Sequence, residues 1–199
     1  MKDIKLLPFQ FDASKLIEAC NFVFSEYEDL FEEYSDYLKE QTQDEYLGSL
    51  NMVFLMGVKG VNTQAKITNT KFHIEDGVFV KSFDNTIGTY FENVAKELST
   101  MYDIGRITIY KLGPNALLPT HIDAYEKVLI PITTNPNCIT SVFKEDETID
   151  LNLPANGTAN LFNAAAVSHR VTNNGNDISY RMTFDIINYK PGAITLDHE

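Results

Sequence analysis

The pattern of apolar and polar positions divides the chain into a half with helical periodicity and a half with strand periodicity. From Asp12 to Leu38 apolar side chains recur every three or four residues, and acidic residues occupy the opposite face, which predicts one broken helix or two, capped by Asp12 or Ser14. A second helix is predicted from Thr86 to Met101. Between them, "MVFLMGV" predicts a strand, and "KFHIEDGVFVKSF" predicts a hairpin that turns at Asp76-Gly77.

After Asp103 the pattern changes to short β-rich runs separated by clusters of Gly, Pro, Asn and Asp. This spacing is typical of an antiparallel sandwich or barrel. The sequence therefore predicts an α+β protein with a jelly-roll core and N-terminal supporting helices. No linker rich in Pro, Gly or Ser separates the halves, so we expect a single domain over 1–199. We expect mainly helical support with a few strands over 1–102, a catalytic core over 103–188 and a C-terminal surface tail over 189–199.

Composition and charge narrow the classes of partner. The chain has 16 basic and 28 acidic residues, a formal net charge of −12, which disfavours nucleic acid and anionic membranes as partners. Neither a membrane-spanning apolar run nor a secretory signal is evident, so we expect a cytoplasmic protein. Cys20 and Cys138 lie far apart without a C-x-x-C motif, which predicts two buried free thiols.

The sequence "THID" places two possible metal ligands, His121 and Asp123, one residue apart before a strand-like run. On an extended segment, the first and third side chains of H-x-D point to the same face, so one ion can contact both. His169 is the remaining histidine of the β-rich half, and a third ligand from a distant strand would complete the two-histidine, one-carboxylate set associated with non-haem Fe(II). Taken alone, an H-x-D is more often a turn carboxylate beside a solvated histidine.

A basic side chain on a later strand strengthens the metal interpretation. Arg181 and Thr183 share one face of the predicted last strand, so a guanidinium and a hydroxyl can converge on one carboxylate. A buried arginine needs such a partner.

With these residues in order, the segment from Arg106 to Ile187 resembles the Fe(II)/2-oxoglutarate-dependent dioxygenases, whose fold is a double-stranded β-helix. The run "HID…EKVLIPITTNPN…ANLFNAAAVSHRVTNNGNDISYRMTFD" is similar to the aspartyl/asparaginyl β-hydroxylase and free-proline hydroxylase branch. The stretch "YKLGPNALLPTHID" is also similar to the prolyl 4-hydroxylase pattern. The sequence departs from the first branch at Lys127, where arginine is frequent, and at Asn163, where aspartate is frequent.

The resemblance implies a role for each matched residue. It implies His121, Asp123 and His169 as the iron ligands. It implies that Arg181 pairs with the distal carboxylate of 2-oxoglutarate, that Thr183 donates a neighbouring hydrogen bond, and that Tyr110 lines the cosubstrate pocket. The implied partners are Fe(II), 2-oxoglutarate, O2 and an amino-acid or protein substrate, which is hydroxylated as succinate and CO2 are released.

Other polar residues near these motifs have simpler interpretations. Arg170 points away from His169 on a regular strand, and Lys127 is expected to be a solvated lysine at a sheet edge. The asparagines at 115, 135 and 137 lie in predicted loops, where asparagine usually forms turns.

Two alternatives to a hydroxylase remain open from the sequence. One is a cupin-like jelly-roll protein that binds a metal or ligand without oxygenase turnover, and the other is a metal-dependent enzyme of the same fold with different chemistry. Arg181 discriminates among them, because a site that does not use a keto acid has no need for a carboxylate-binding arginine at that position.

Overall fold

The computed structural model describes residues 3–26, 50–54 and 89–196. Its elements, in chain order, are β1 Ile4–Gln10, α1 Ala13–Glu26, β2 Leu50–Phe54, α2 Tyr90–Leu98, β3 Tyr102–Leu112, β4 Ala116–His121, β5 Lys127–Pro131, β6 Cys138–Phe143, β7 Thr148–Leu151, β8 Thr158–Phe162, β9 Ser168–Asn173 and β10 Ser179–Tyr189.

The strands form two antiparallel sheets. The larger sheet has six strands in the order β1-β8-β5-β10-β3-β2, and the smaller has four in the order β4-β9-β6-β7. Strands β3 to β10 alternate between the sheets in the manner of a jelly roll, except that β6 and β7 form a hairpin within the smaller sheet. Strands β1 and β2 extend the two edges of the larger sheet. The predicted jelly-roll core is therefore confirmed.

The two faces of the larger sheet have different neighbours because successive strand residues point to opposite sides. On β10, Met182 and Phe184 are fully buried and belong to an apolar cluster that includes α1 and α2. Arg181 and Thr183 point the other way, toward the smaller sheet. The helices thus cover one face of the sheet, and the other face is left to form a pocket between the sheets.

Both described helices lie where the periodicity predicts them. Asp12 caps α1, since its Oδ1 atom accepts hydrogen bonds from the backbone N–H groups of Ser14 at 3.0 Å and Lys15 at 3.2 Å. Helix α2 buries Phe91, Val94, Ala95 and Leu98 and is shorter at both ends than predicted. The predicted continuation of α1 to Leu38, the hairpin at Asp76-Gly77 and His73 all lie outside the described residues.

The structure differs from the sequence-based prediction in two terminal segments. Residues 4–10, which carry no helical or strand prediction, form β1 and pair with β8. Pro8 lies where the register of this pair shifts, and an edge strand tolerates a proline there because a hydrogen bond is not required. The predicted surface tail is exposed at Pro191, Gly192 and Thr195, but part of it packs against the core: Leu196 is buried, and the Tyr102 hydroxyl donates a hydrogen bond to the carbonyl of Ile194 at 3.1 Å.

Two other predictions concern single features. Cys20 and Cys138 are both buried and free, as predicted. Within the described ranges, no helix has the length and apolar character needed to cross a membrane.

Candidate metal centre

His121, Asp123 and His169 converge at one end of the pocket, as the H-x-D spacing predicts. His121 ends β4 and is the register partner of His169 on β9, and Asp123 follows in the next loop. The backbone N–H of Asp123 donates to the carbonyl of Ala164 at 2.9 Å, which fixes the loop. The three possible ligand atoms lie within 4.8 Å of one another. This spacing suits one shared ion.

The backbone orients both imidazole rings. Nδ1 of His121 lies 2.7 Å from the carbonyl oxygen of Pro119, and Nδ1 of His169 lies 3.0 Å from that of Val167. Donation from Nδ1–H to these carbonyls leaves the lone pair on Nε2 in each ring, the arrangement usual for metal-binding histidines. Burial also lowers the pKa of His121, which favours the neutral imidazole that binds metals.

The carboxylate faces both Nε2 atoms with one oxygen. Asp123 Oδ2 lies 3.3 Å from Nε2 of His169 and 3.8 Å from Nε2 of His121, and it is buried without a conventional hydrogen bond. Burial would raise the pKa of Asp123, but His169, Lys127 and His121 together hold it below its ordinary value. An anionic oxygen and two ring nitrogens that bear lone pairs therefore point at one space, which a cation would satisfy.

Lys127 is part of this site, and its predicted position as a solvated edge lysine is wrong. It begins β5, which lies between β8 and β10 in the larger sheet, and only 4% of the residue is exposed. Its Nζ atom lies 2.5 Å from Oδ1 of Asp185 and 3.2 Å from Oδ1 of Asp123. Burial would lower the pKa of Lys127, but Asp185 and other neighbours, Asp123 among them, raise it, so the ammonium stays charged.

The contact between Lys127 and Asp185 can be predicted in part from the sequence. Asp185 follows Thr183 by two residues, so the period of a strand places it on the same face as Arg181 and Thr183. Recognising its pairing with Lys127 also requires the β5–β10 register, in which the two residues are partners. That register depends on the whole sheet and is not a local property.

Arg181 and Thr183 lie on the face that Asp185 shares, with unused polar atoms. Arg181 is 8% exposed; its Nη1 donates to the hydroxyl of Thr140 at 3.0 Å and its Nη2 contacts Sγ of Cys138 at 3.1 Å. Its Nε and the Thr183 hydroxyl are buried and form no hydrogen bond with the residues that the structure describes. Within the described residues, no carboxylate lies at salt-bridge distance from this guanidinium, and burial lowers its pKa.

One pocket contains all six residues singled out from the sequence. Tyr110 on β3 contributes to its wall, with an apolar lining and the polar groups described above. The lining residues are Tyr110, Leu118, His121, Asp123, Lys127, Leu129, Thr140, Phe162, His169, Val171, Arg181 and Thr183. The metal-ligand set and the arginine therefore face the same space.

Polar residues around the pocket have structural roles. Asn135 donates to Oδ1 of Asn173 at 2.9 Å, and a Cβ atom on Gly175 would lie 2.3 Å from Oδ1 of Asn135. Asn115 has a φ of 59°, a turn conformation that asparagine tolerates. Arg170 is exposed and lies over the ring of Phe143, 5.3 Å from its centroid.

Comparison with known proteins gives a structural match without a sequence match. No family model matches the chain, and no curated protein does. A Trichoplax adhaerens prolyl hydroxylase, solved with a peptide fragment of the hypoxia inducible factor oxygen degradation domain, is 12% identical, with a TM-score of 0.56 over 94% of this chain and 84% of that one. A Pseudomonas putida prolyl-4-hydroxylase is 10% identical, with a TM-score of 0.53 over 92% of each chain.

A third similar structure contains the cosubstrate. The collagen prolyl hydroxylase of Paramecium Bursaria Chlorella virus-1, solved as a 2-oxoglutarate complex, is 7% identical, with a TM-score of 0.50 over 96% of each chain. At these identities the matches show a shared fold. The chain therefore has the fold of prolyl hydroxylases, which supports the resemblance drawn from its motifs.

Proposed function

We propose that this protein is an Fe(II)- and 2-oxoglutarate-dependent oxygenase that hydroxylates an amino-acid or peptidyl side chain. One observation carries the proposal. The converging atoms of His121, Asp123 and His169 share a pocket with a buried guanidinium that has no carboxylate partner among the described residues. Under this proposal, a metal site and an anion site would lie side by side in one pocket.

The donor set fits Fe(II). Two imidazole nitrogens and one carboxylate oxygen suit this ion, and three protein ligands leave the other positions open for exchangeable ligands. Oδ2 of Asp123 supports the fit, because it is buried and accepts no conventional hydrogen bond from the described residues, which is costly for an anionic oxygen. His121, Asp123 and His169 would hold the metal.

The other end of the pocket fits the distal carboxylate of 2-oxoglutarate. Arg181 brings a positive charge and an unused Nε–H, and Thr183 brings an unused hydroxyl. A carboxylate can accept both hydrogen bonds and neutralise the guanidinium, whose burial is otherwise unfavourable. Tyr110 would form part of the wall beside this carboxylate.

When bound, Fe(II), 2-oxoglutarate and O2 would supply the oxidative decarboxylation that yields succinate and CO2 and hydroxylates a C–H bond. The protein positions the reactants and excludes water. Arg181 would fix the keto acid in one orientation. Leu118, Leu129, Phe162 and Val171 give the pocket an apolar wall that limits access of water.

The substrate class rests on the motif resemblance and on one structural neighbour. The Trichoplax adhaerens enzyme holds a peptide fragment, and its fold is shared by this chain. An amino-acid or peptidyl side chain is therefore the substrate class that we propose to test first.

The cupin-like alternatives account less well for the pocket. A protein that binds only a metal, or a metal enzyme that uses no keto acid, gains nothing from a buried arginine that has no carboxylate partner among the described residues. The arrangement of Arg181 and Thr183 favours the oxygenase.

Anaerobic spectroscopy tests the proposal. Purified protein given Fe(II) and 2-oxoglutarate should develop the weak visible charge-transfer band of an iron-bound keto acid, and it should form succinate slowly after admission of air. Fe(II) alone and 2-oxoglutarate alone are the controls. If the band is absent while the protein is folded, the proposed site is wrong. If the band forms, a screen of amino acids and peptide digests for a mass gain of one oxygen would identify the substrate.

A further inference from the structure

The two oxygens of Asp123 have different neighbours. Oδ2 faces the Nε2 atoms of His121 and His169, at 3.8 Å and 3.3 Å. Oδ1 lies 3.2 Å from Nζ of Lys127. Each oxygen of this carboxylate thus has a separate environment.

Lys127 is itself held in place by a second carboxylate. Its Nζ lies 2.5 Å from Oδ1 of Asp185, whose other oxygen lies 3.2 Å from Nε of Arg106. The side chain of Asp185 is 1% exposed and that of Lys127 is 6% exposed, so water cannot replace the contact between them. The ammonium is therefore fixed between Asp185, its register partner on β10, and Asp123.

We propose that Lys127 is a positioning residue for the metal ligand Asp123: by holding Oδ1, it leaves Oδ2 as the single carboxylate oxygen directed at the ion. The inference rests on the proposed metal centre. It assigns a function to the site where this sequence has lysine and the similar branch frequently has arginine.

Single-oxygen ligation has a consequence for the site. If Asp123 rotated and bound through both oxygens, it would occupy one of the positions that a chelating keto acid and O2 need on an octahedral ion. Outer contacts of this kind orient metal ligands, and their loss typically weakens metal affinity 10- to 100-fold. Lys127 would thus preserve both the affinity and the open positions.

A purely structural role would give a different result. In that case Lys127 would only neutralise the buried Asp185, and its loss would lower stability without a specific effect on the metal. The pair K127M and D185N separates the two roles. K127M removes the contact with Asp123, while D185N keeps that contact and removes the charge of the second carboxylate.

The experiment uses metal-free full-length protein and two probe ions. Mn(II) affinity is measured by electron paramagnetic resonance titration, and Co(II) absorption reports the coordination of the bound ion. We expect K127M and K127M/D185N to bind Mn(II) roughly 10- to 100-fold more weakly and to give an altered Co(II) spectrum. We expect D185N to stay within about threefold of the wild type in Mn(II) affinity.

The double variant K127M/D185N guards against a folding defect in K127M. It replaces the Asp185 carboxylate, which K127M alone would leave charged and facing an apolar side chain. Its thermal melting temperature should recover toward that of the wild type, while its metal affinity should not. K144M is the matched control, since the ammonium group of Lys144 forms ion pairs with Asp3 at 2.6 Å and Glu147 at 3.9 Å, neither of which is a proposed metal ligand.

Three outcomes would overturn the inference. Unchanged Mn(II) affinity and an unchanged Co(II) spectrum in folded K127M/D185N would make Lys127 structural. An equal loss of Mn(II) affinity in D185N and K127M would mean that the loss comes from a disturbed fold and not from the missing contact with Asp123. Failure of the wild type to bind Mn(II) or Co(II) would remove the proposed metal centre as well.

Discussion

The Nη1 atom of Arg181 donates a hydrogen bond to the hydroxyl of Thr140, 3.0 Å away on the opposite sheet. This contact, with that to Cys138, anchors the end of the guanidinium and leaves its Nε–H unpaired in the pocket. The arginine is thus oriented by a hydroxyl and a sulfur atom, and no carboxylate among the described residues pairs with it. A ligand carboxylate would supply the missing countercharge.

Arg181→Leu should separate cosubstrate binding from stability. Loss of a buried charged partner costs about 2–5 kcal/mol of binding free energy, so we expect at least about 30-fold weaker 2-oxoglutarate binding. The metal-free variant should melt at or above the wild-type temperature, because replacing a buried charge with an apolar side chain is often neutral or stabilising. Titration of the charge-transfer band and thermal melting measure the two effects.

Mn(II) affinity is the control for that variant. It should stay within about threefold of the wild type, since the three proposed ligands are untouched. Equal 2-oxoglutarate affinity in the variant and the wild type would show that Arg181 does not bind the cosubstrate.

Thr183→Val tests the second unused polar atom. The hydroxyl has no hydrogen-bond partner in the described part of the chain, so its removal should leave the free energy of unfolding unchanged or slightly increased. If it binds 2-oxoglutarate, affinity should fall by roughly 3- to 10-fold, the equivalent of about 1 kcal/mol.

Thr140→Val is the contrast to that substitution, because the Thr140 hydroxyl accepts a bond from Arg181. Its loss leaves a buried donor unpaired and should cost about 1–3 kcal/mol of stability. Chemical denaturation distinguishes the two variants. A larger loss of stability in Thr183→Val than in Thr140→Val would contradict the assignment.

Asp123→Ala should weaken metal binding more than any substitution of Lys127 does. It removes a proposed ligand, and we expect Mn(II) affinity to fall by more than about 100-fold, beyond the range for residues that contact ligands indirectly. His121→Ala and His169→Ala should behave similarly. Retention of the iron and keto-acid band in any of the three variants would exclude that residue as a ligand.

Much of the site follows from the period of a strand. Because alternate residues share a face, the spacing of His121 and Asp123 and that of Arg181 and Thr183 are readable in one dimension. The same rule extends to Asp185. The rule does not show which strands are neighbours in the sheet. The pairing of Asp185 with Lys127 can therefore be recognised only once the register of β5 and β10 is known.

The fold was predictable to a similar extent. Helical periodicity marked α1 and α2, and turn residues marked the short strands of the jelly roll. Strand β1 was missed because it contains Pro8 and lies at a sheet edge, where tertiary pairing outweighs the local signal. Burial of Leu196 likewise depends on a surface that distant residues form.

Asn173→Ala should destabilise the protein although Asn173 contacts none of the proposed ligands. Its side chain is fully buried, and its two amide N–H groups lie within hydrogen-bond distance of the carbonyl oxygens of Leu112, Gly113 and Asp177, while its Oδ1 accepts bonds from Asn135 and the Gly175 backbone. Each polar group left unpaired costs about 1–3 kcal/mol, so we expect a total loss of at least about 3 kcal/mol in chemical denaturation. Asn174→Ala is the control, because that neighbouring side chain is exposed and its loss should change stability by less than about 0.5 kcal/mol.

Since Asn173 ends the strand that carries His169, metal affinity should fall in Asn173→Ala only under conditions where the variant begins to unfold. A loss of affinity in the fully folded variant would instead mean that the asparagine network sets the position of His169.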